Sequence, residues 1–151
     1  MNSKKFALKL VEILRERNFE IVIIMGDMES KEREESMAKF RRGEVKTIIT
    51  TNLLARGVDV PEVEFVINFD VPVLMDRNRN VTGGDAETYL HRIGRAGRFG
   101  TPGIAITLLD KDQDRPHFDE IIEHFDMTNK VTVLKDANHL KEIYSTLNND
   151  L

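Results

Sequence analysis

The chain has 151 residues, 40% hydrophobic and 32% charged, with a formal net charge of -4 and no cysteine. This length and apolar content fit one domain with a core of its own. Disulfides and thiolate metal sites are excluded, any nucleic-acid surface has to be a local patch, and no apolar run approaches the ~18 residues of a membrane span.

The N-terminal stretch "MNSKKFALKLVEIL" places Phe6, Leu10, Ile13 and Leu14 at helical spacing. Lys9, Glu12 and Arg15 interrupt it where a secretory signal keeps an unbroken apolar run. It reads as an amphipathic helix of a cytosolic or nuclear protein. "EIVIIMGD" (Glu20 to Asp27) is a β-branched run ended by glycine, hence a buried strand. Ser30 caps the next helix, Met37 and Phe40 form its apolar side, and Gly43 ends it. Lys46 to Thr51, Glu62 to Asp70 and Gly103 to Leu109 are further strands, and Lys130 to Leu134 a short last one. Helices are expected at Ala86 to Ile93, Gln113 to Phe125 and Asn138 to Leu147. Asp70 to Glu87 is rich in Gly, Asn, Asp and Arg without periodicity, which predicts a mobile surface loop. Strands alternating with helices define an α/β fold with a mainly parallel sheet, where ligands gather outside the carboxyl ends of the strands.

Three segments carry chemistry. In "YLHRIGRAGRFG" (Tyr89 to Gly100), Arg92, Arg95 and Arg98 stand three residues apart with Gly94 and Gly97 between them. As a helix this is poor design, since like charges at i,i+3 repel and each interior glycine costs about 1 kcal/mol. On a helix the arginines drift around one broad face, and glycine allows close approach of a partner. Guanidinium forks suit phosphate oxygens, so arginines inserted at a transferring phosphoryl group fit this stretch better than a solvated charged face. In "TTNLLARGVDVP" (Thr50 to Pro61), Thr51 sits at a strand end, Gly57 permits backbone approach, and ionised Asp59 suits a ribose hydroxyl. The same segment also reads as a capped turn with Asp59 paired to Arg56. In "GDMESKEREESMAKFRRG" (Gly26 to Gly43), a strand, a glycine turn and a helix start make an anion site. Arg33 adds a phosphate contact there, while Glu32, Glu34, Glu35 and Lys39 read as solvent-facing. There is no GxxxxGK[ST] loop, no acidic pair after a strand to hold Mg2+, and the histidines lack metal spacing, with His117, His124 and His139 read as surface residues. The chain therefore looks like half of an active site.

In this order the segments resemble the second RecA-like domain of DEAD-box RNA helicases. "HRIGRAGR" is similar to their motif VI, "TTNLLARGVD" to motif V and "GDMESKERE...FRRG" to motif IVa, and the likeness runs from Ser3 to Phe125. The long segment between "VINFDVP" and "ETYLHRIGR", with the "FDEIIEHF" helix, resembles most the subgroup working in nuclear mRNA export at the nuclear pore, ahead of the initiation-factor-4A type. The resemblance implies residues 1–151 as a single helicase C-terminal domain. Arg95 and Arg98 are then catalytic fingers on the γ-phosphate of ATP. Gly57, Asp59, His91 and Arg92 serve ATP or the interdomain contact, and Gly26, Arg33 and Thr51 hold the RNA backbone. It further implies ATP as cofactor with Mg2+ held by the first RecA-like domain, RNA and that domain as partners, and an export activator acting with inositol hexakisphosphate. The cellular place is cytoplasmic or nuclear.

The chain departs from the family pattern in four ways. It lacks the first domain, and it lacks the motif IV strand expected before "SKKFALKL". That makes the domain N-terminally truncated and leaves exposed core, or a dimer that borrows a strand. Ala96 stands where motif VI usually has Thr, and Met25 where His usually precedes Gly26. An isolated 151-residue chain is expected to be inactive; a non-enzymatic RNA- or protein-binding module is the reading from another class.

Overall fold

In the computed structural model, residues 3–51, 63–97, 102–110 and 112–149 are described. They belong to two compact units, residues 1–61 and 62–151.

In the first unit, helix α1 (Lys4–Glu16) packs on strands β1 (Ile21–Ile24) and β2 (Thr47–Thr50). Ala7, Val11, Ile21 and Ile49 form its buried core, with Leu10, Leu14 and Ile23 packed around them. Phe6, expected on the core face, is 63% exposed. Ala7 and Val11, four apart, bring small side chains against the sheet, and one residue's rotation carries Phe6 off that face. Asn18 at φ 62 stops α1 in the left-handed conformation. β1 and β2 run parallel, with Ile21 opposite Thr47 and Ile24 opposite Thr50. Helix α2 (Ser30–Arg41) buries Met37 and is followed by Gly43 at φ 72. Ser30 is not its cap: Glu29 holds the N-cap backbone without a side-chain bond, so Ser30 is already helical. Glu32, Glu34, Glu35 and Lys39 are exposed, as expected.

In the second unit, β3 (Phe65–Asn68) pairs in parallel with β6 (Ile104–Thr107), Phe65 opposite Ile104 and Asn68 opposite Thr107. Helices α3 (Ala86–Ile93) and α4 (Arg115–His124) supply the core of Tyr89, Phe118, Ile121 and Ile122, which closes over Val71. Tyr89 and Phe118 meet edge to face at 5.9 Å. Helix α5 (Ala137–Asn149) brings Tyr144 to Phe65, ring centroids 5.3 Å apart. Both parallel pairings agree with the expected α/β fold. Each parallel sheet has two strands among the described residues, and β3 leaves Ile67 61% exposed.

Two expectations are corrected. The stretch read as a mobile loop folds into an antiparallel hairpin, β4 (Val73–Met75) and β5 (Val81–Gly84). Its strands are too short to show alternation, and its turn is closed by Asp76 rather than by a standard two-residue turn. Lys130 to Leu134 is not a strand. A 3-10 turn (Thr128–Lys130) leads into irregular chain in which Val133 is 75% exposed. β-branched content alone does not make a strand, and this segment pairs with none among the described residues.

Gly84 shows how closely the hairpin base meets α4. A Cβ added there would lie 2.4 Å from the His117 carbonyl oxygen and 2.7 Å from Ile121 Cγ1. Overpacking of this kind typically costs 1–3 kcal/mol. Gly84→Ala is expected to lower the unfolding free energy by about 2 kcal/mol, measured by urea denaturation. A wild-type midpoint in the variant would contradict this packing.

Candidate functional site

The arginine segment begins with a well-made helix start. The Asp85 side chain accepts from the Thr88 backbone N–H at 2.9 Å and from the Thr88 hydroxyl at 2.7 Å. This N-cap fixes the entry of α3, and His91 and Arg92 fall in its last turn, where cations suit the helix dipole.

Arg92 turns inward. Its Nη1 donates to the Asp70 carbonyl at 2.8 Å, to Asp70 Oδ1 at 3.3 Å and to Asn68 Oδ1 at 3.5 Å. The Arg92 side chain is 12% exposed and that of Asp70 23%. Burial pulls the Arg92 guanidinium below its ordinary value, and the Asp70 carboxylate opposes that shift. Asn68, buried at 2% exposure, donates onward to the Thr107 hydroxyl at 3.3 Å, and Tyr89 OH meets the same hydroxyl at 3.1 Å. One polar network thus ties α3 to the ends of β3 and β6.

Arg95 does the opposite. α3 stops at Ile93 with Gly94 as its C-cap, so Arg92 and Arg95 do not share a helical face. The expected geometry is corrected on this point. The Arg95 and Ala96 N–H groups reach back to Arg92 and Ile93 carbonyls at 3.2 and 2.9 Å. The chain is then stapled to Val63: the Val63 N–H donates to the Arg95 carbonyl at 2.9 Å, and the Gly97 N–H to the Val63 carbonyl at 2.8 Å. Gly103 backs this turn so closely that a Cβ there would fall 2.0 Å from Gly97 N. On this fixed backbone Arg95 is exposed, and its guanidinium makes no hydrogen bond or ion pair among the described residues. His91 is exposed as well. Gly57, Asp59 and Arg98 lie outside the described residues.

In the first unit, parallel pairing of Ile24 with Thr50 brings Gly26 and Thr51 out at the same end of β1 and β2. The Thr50 hydroxyl donates to the Thr51 carbonyl at 2.9 Å. Arg33 braces this corner: Nη2 donates to the carbonyls of Gly26 at 3.3 Å and Met28 at 3.1 Å. Its Nε is buried with no partner among the described residues. Lys4 pairs with Asp27 beside it. No cluster of three or more metal-ligating side chains stands among the described residues, and no described helix is long and apolar enough to cross a membrane.

Asp70 and Asn68 are site residues that the sequence reading passed over. The available signal was Asn68, a lone amide inside the apolar run "FVINF", where a buried polar group needs partners.

Comparison with known proteins identifies the family and the fold. The family model for the helicase conserved C-terminal domain matches residues 1–100. Initiation factor 4A of Dictyostelium discoideum is 45% identical over 114 residues, 76% of this chain and 25% of that protein. The human ATP-dependent RNA helicase DDX19A is 39% identical over 147 residues, 97% of this chain and 29% of that protein. The chain thus spans about a quarter of the length of these relatives. Among solved structures, the C-terminal domain of the DEAD-box protein Dbp5 superposes with a TM-score of 0.79 at 34% identity, covering 96% of this chain and 78% of that one. Saccharomyces cerevisiae Dbp5 bound to RNA and ADP BeF3 reaches 0.81 at 34% identity, with 97% and 37% covered. Yeast Dbp5 bound to Gle1 and IP6 reaches 0.79 at the same identity and coverage. The chain belongs to the helicase conserved C-terminal domain family. It is a RecA-like domain of the DEAD-box type, similar to those of DDX19A and Dbp5.

Because Arg92 is held against a mostly buried carboxylate, removing either partner leaves a charge without its complement. Arg92→Ala and Asp70→Ala are each expected to cost about 3 kcal/mol of stability. The double variant should lose less than the sum. Chemical denaturation of the three variants checks this, and strictly additive losses would mean that the pair is not coupled.

Proposed function

We propose that this chain is the C-terminal half of the catalytic unit of an ATP-dependent RNA helicase that remodels RNA or RNA–protein complexes in mRNA export. The observation that carries the reading is Arg95, an exposed guanidinium without a partner among the described residues, on a turn fixed by Val63 and Gly103. A guanidinium carried on a fixed backbone turn is available to an anion brought by another surface. Arg95 and Arg98 are assigned to the γ-phosphate of ATP as arginine fingers. Arg92, tied to Asp70, is assigned a positioning role behind them, and His91 faces the interdomain contact. Gly57 and Asp59 are assigned to the ribose or that same contact. ATP supplies the anhydride whose cleavage resets the domain, and Mg2+ is assigned to the first RecA-like domain.

Gly26, Thr51 and Arg33 are assigned to the RNA backbone. They share one end of the β1–β2 pair, where backbone groups and a hydroxyl meet phosphates without reading bases. ATP and RNA both bridging two RecA-like domains favour the closed arrangement, so each raises the affinity for the other. Loss of the γ-phosphate releases the grip. Yeast Dbp5 structures with RNA and ADP BeF3, and with Gle1 and IP6, support RNA and an activator acting with inositol hexakisphosphate as partners; the working place is assigned to the cytoplasm or the nucleus, at the nuclear pore. The whole chain is taken as one C-terminal domain, inactive alone.

The test joins this domain to a first RecA-like domain that carries a phosphate loop. RNA-stimulated ATP turnover is expected in the joined protein and none in the 151-residue chain. Arg95→Ala or Arg98→Ala should lower turnover by ~10³ or more while ATP still binds. Wild-type turnover in either variant sinks the finger assignment, and turnover by the chain alone sinks the half-site reading.

A further inference from the structure

The proposed role leaves the β4–β5 hairpin unused. Its base is fixed to the core of the second unit. The Gly84 N–H donates to Glu120 Oε2 at 2.7 Å, and the Asp85 N–H to the Pro72 carbonyl at 2.9 Å. Its tip is equally fixed. Asp76 and Asn80 close the loop, the Asp76 N–H meeting the Asn80 carbonyl at 2.9 Å. Asp76 Oδ1 accepts from the N–H groups of Asn78 and Asn80, both at 2.8 Å, and Oδ2 accepts from Asn80 Nδ2 at 2.9 Å. These neutral donors, the Asn80 side chain first, hold the Asp76 carboxyl below its ordinary range.

The carboxylate is therefore satisfied by amides and not by the two arginines beside it. Arg77 and Arg79 are exposed, and neither guanidinium makes a hydrogen bond or ion pair among the described residues. Arg79 also sits at φ 65, a conformation that costs an L-residue other than Gly, Asn or Asp roughly 1–2 kcal/mol. A turn selected for stability alone would carry Gly or Asn there. Below the tip, Met75 and Val81 face each other across the strands, 59% and 47% exposed, and Leu74 is 50% exposed. Unpaired arginines above an exposed aliphatic patch, on a rigid support, are the ingredients of a protein-binding hot spot. RNA is a poorer match. The hairpin has no aromatic ring to stack a base, and the three aliphatic side chains offer nothing to phosphates.

We propose that the β4–β5 hairpin is a docking post for an extended acidic segment of a partner protein. Carboxylates of that segment pair with Arg77 and Arg79, and its apolar side chains cover Leu74, Met75 and Val81. The hairpin residues are none of those assigned to ATP or RNA, and the proposal does not depend on that assignment.

The test is a peptide-display selection on the intact 151-residue chain, followed by fluorescence anisotropy with the enriched peptide made synthetically and with a ten-nucleotide uridylate as the RNA probe. The expected winners mix Asp or Glu with Leu, Ile or Phe. Their affinity should fall at least tenfold in R77S/R79S and, separately, in M75S/V81S, while uridylate binding stays unchanged. Failure to enrich any such peptide overturns the proposal, as does equal binding to wild type and both variants, or loss of uridylate binding alone. Should a variant fail to fold by thermal melting, titration of the wild-type chain decides. Amide NMR shifts gathered in Val73–Gly84 support the post, and shifts elsewhere sink it.

Discussion

Moving the Arg92 guanidinium out of water costs several kcal/mol, and the second unit is arranged to meet that cost. The Asp70 carboxylate and carbonyl, with Asn68, receive one edge of the fork. Asn68 is in turn held by Thr107, on the strand that pairs with its own. Burial lowers the Arg92 guanidinium's pKa and Asp70 opposes that shift; a buried ion pair adds little net stability over apolar packing, so the weight of this one lies in its geometry. It anchors the last turn of α3 to the end of β3. Everything C-terminal to it, from the Gly94 cap to the turn clasped by Val63 and Gly103, takes its position from that anchor.

The anchor also explains why Arg92 and Arg95, three residues apart in sequence, have different surroundings. Arg92 lies on the helix and inside the network. Arg95 lies one residue beyond the Gly94 cap, on backbone that has already left the helix. The glycines that made "HRIGRAGR" look like a weakened helix belong to its ending: Gly94 caps it, and Gly97 takes φ 100, which a side chain would strain.

Elements whose local signals and tertiary partners agree were legible in the sequence. The bounds of α3 were read as they stand, because Asp85 caps it, its apolar residues face the core, and glycine ends it. The cores of β1, β2, β3 and β6 were read because continuous apolar, β-branched runs suit parallel strands, although β3 leaves Ile67 exposed. The hairpin escaped, since three- and four-residue strands show no period and the closing device is a side chain folded onto its own loop. Lys130 to Leu134 misled in the reverse direction, its β-branched residues pairing with no strand among the described residues. At the candidate site the residue types were visible, but not which arginine would be spent on Asp70, because that depends on two segments more than twenty residues apart.

An exposed guanidinium in water is a weak ligand. At 4 Å a phosphate charge gains about 1 kcal/mol in bulk water, against about 4 at the effective dielectric of a protein surface. A chain of net charge -4 supplies no overall positive field to concentrate free nucleotide at Arg95. Its value rises only when a second surface brings the phosphate and excludes water around it, with the backbone already fixed so that only the side chain has to be ordered at that moment. On the proposed reading, splitting the cradle and the fingers between two domains makes charge stabilisation conditional on their meeting. RNA, by favouring that meeting, then controls hydrolysis without touching the phosphate.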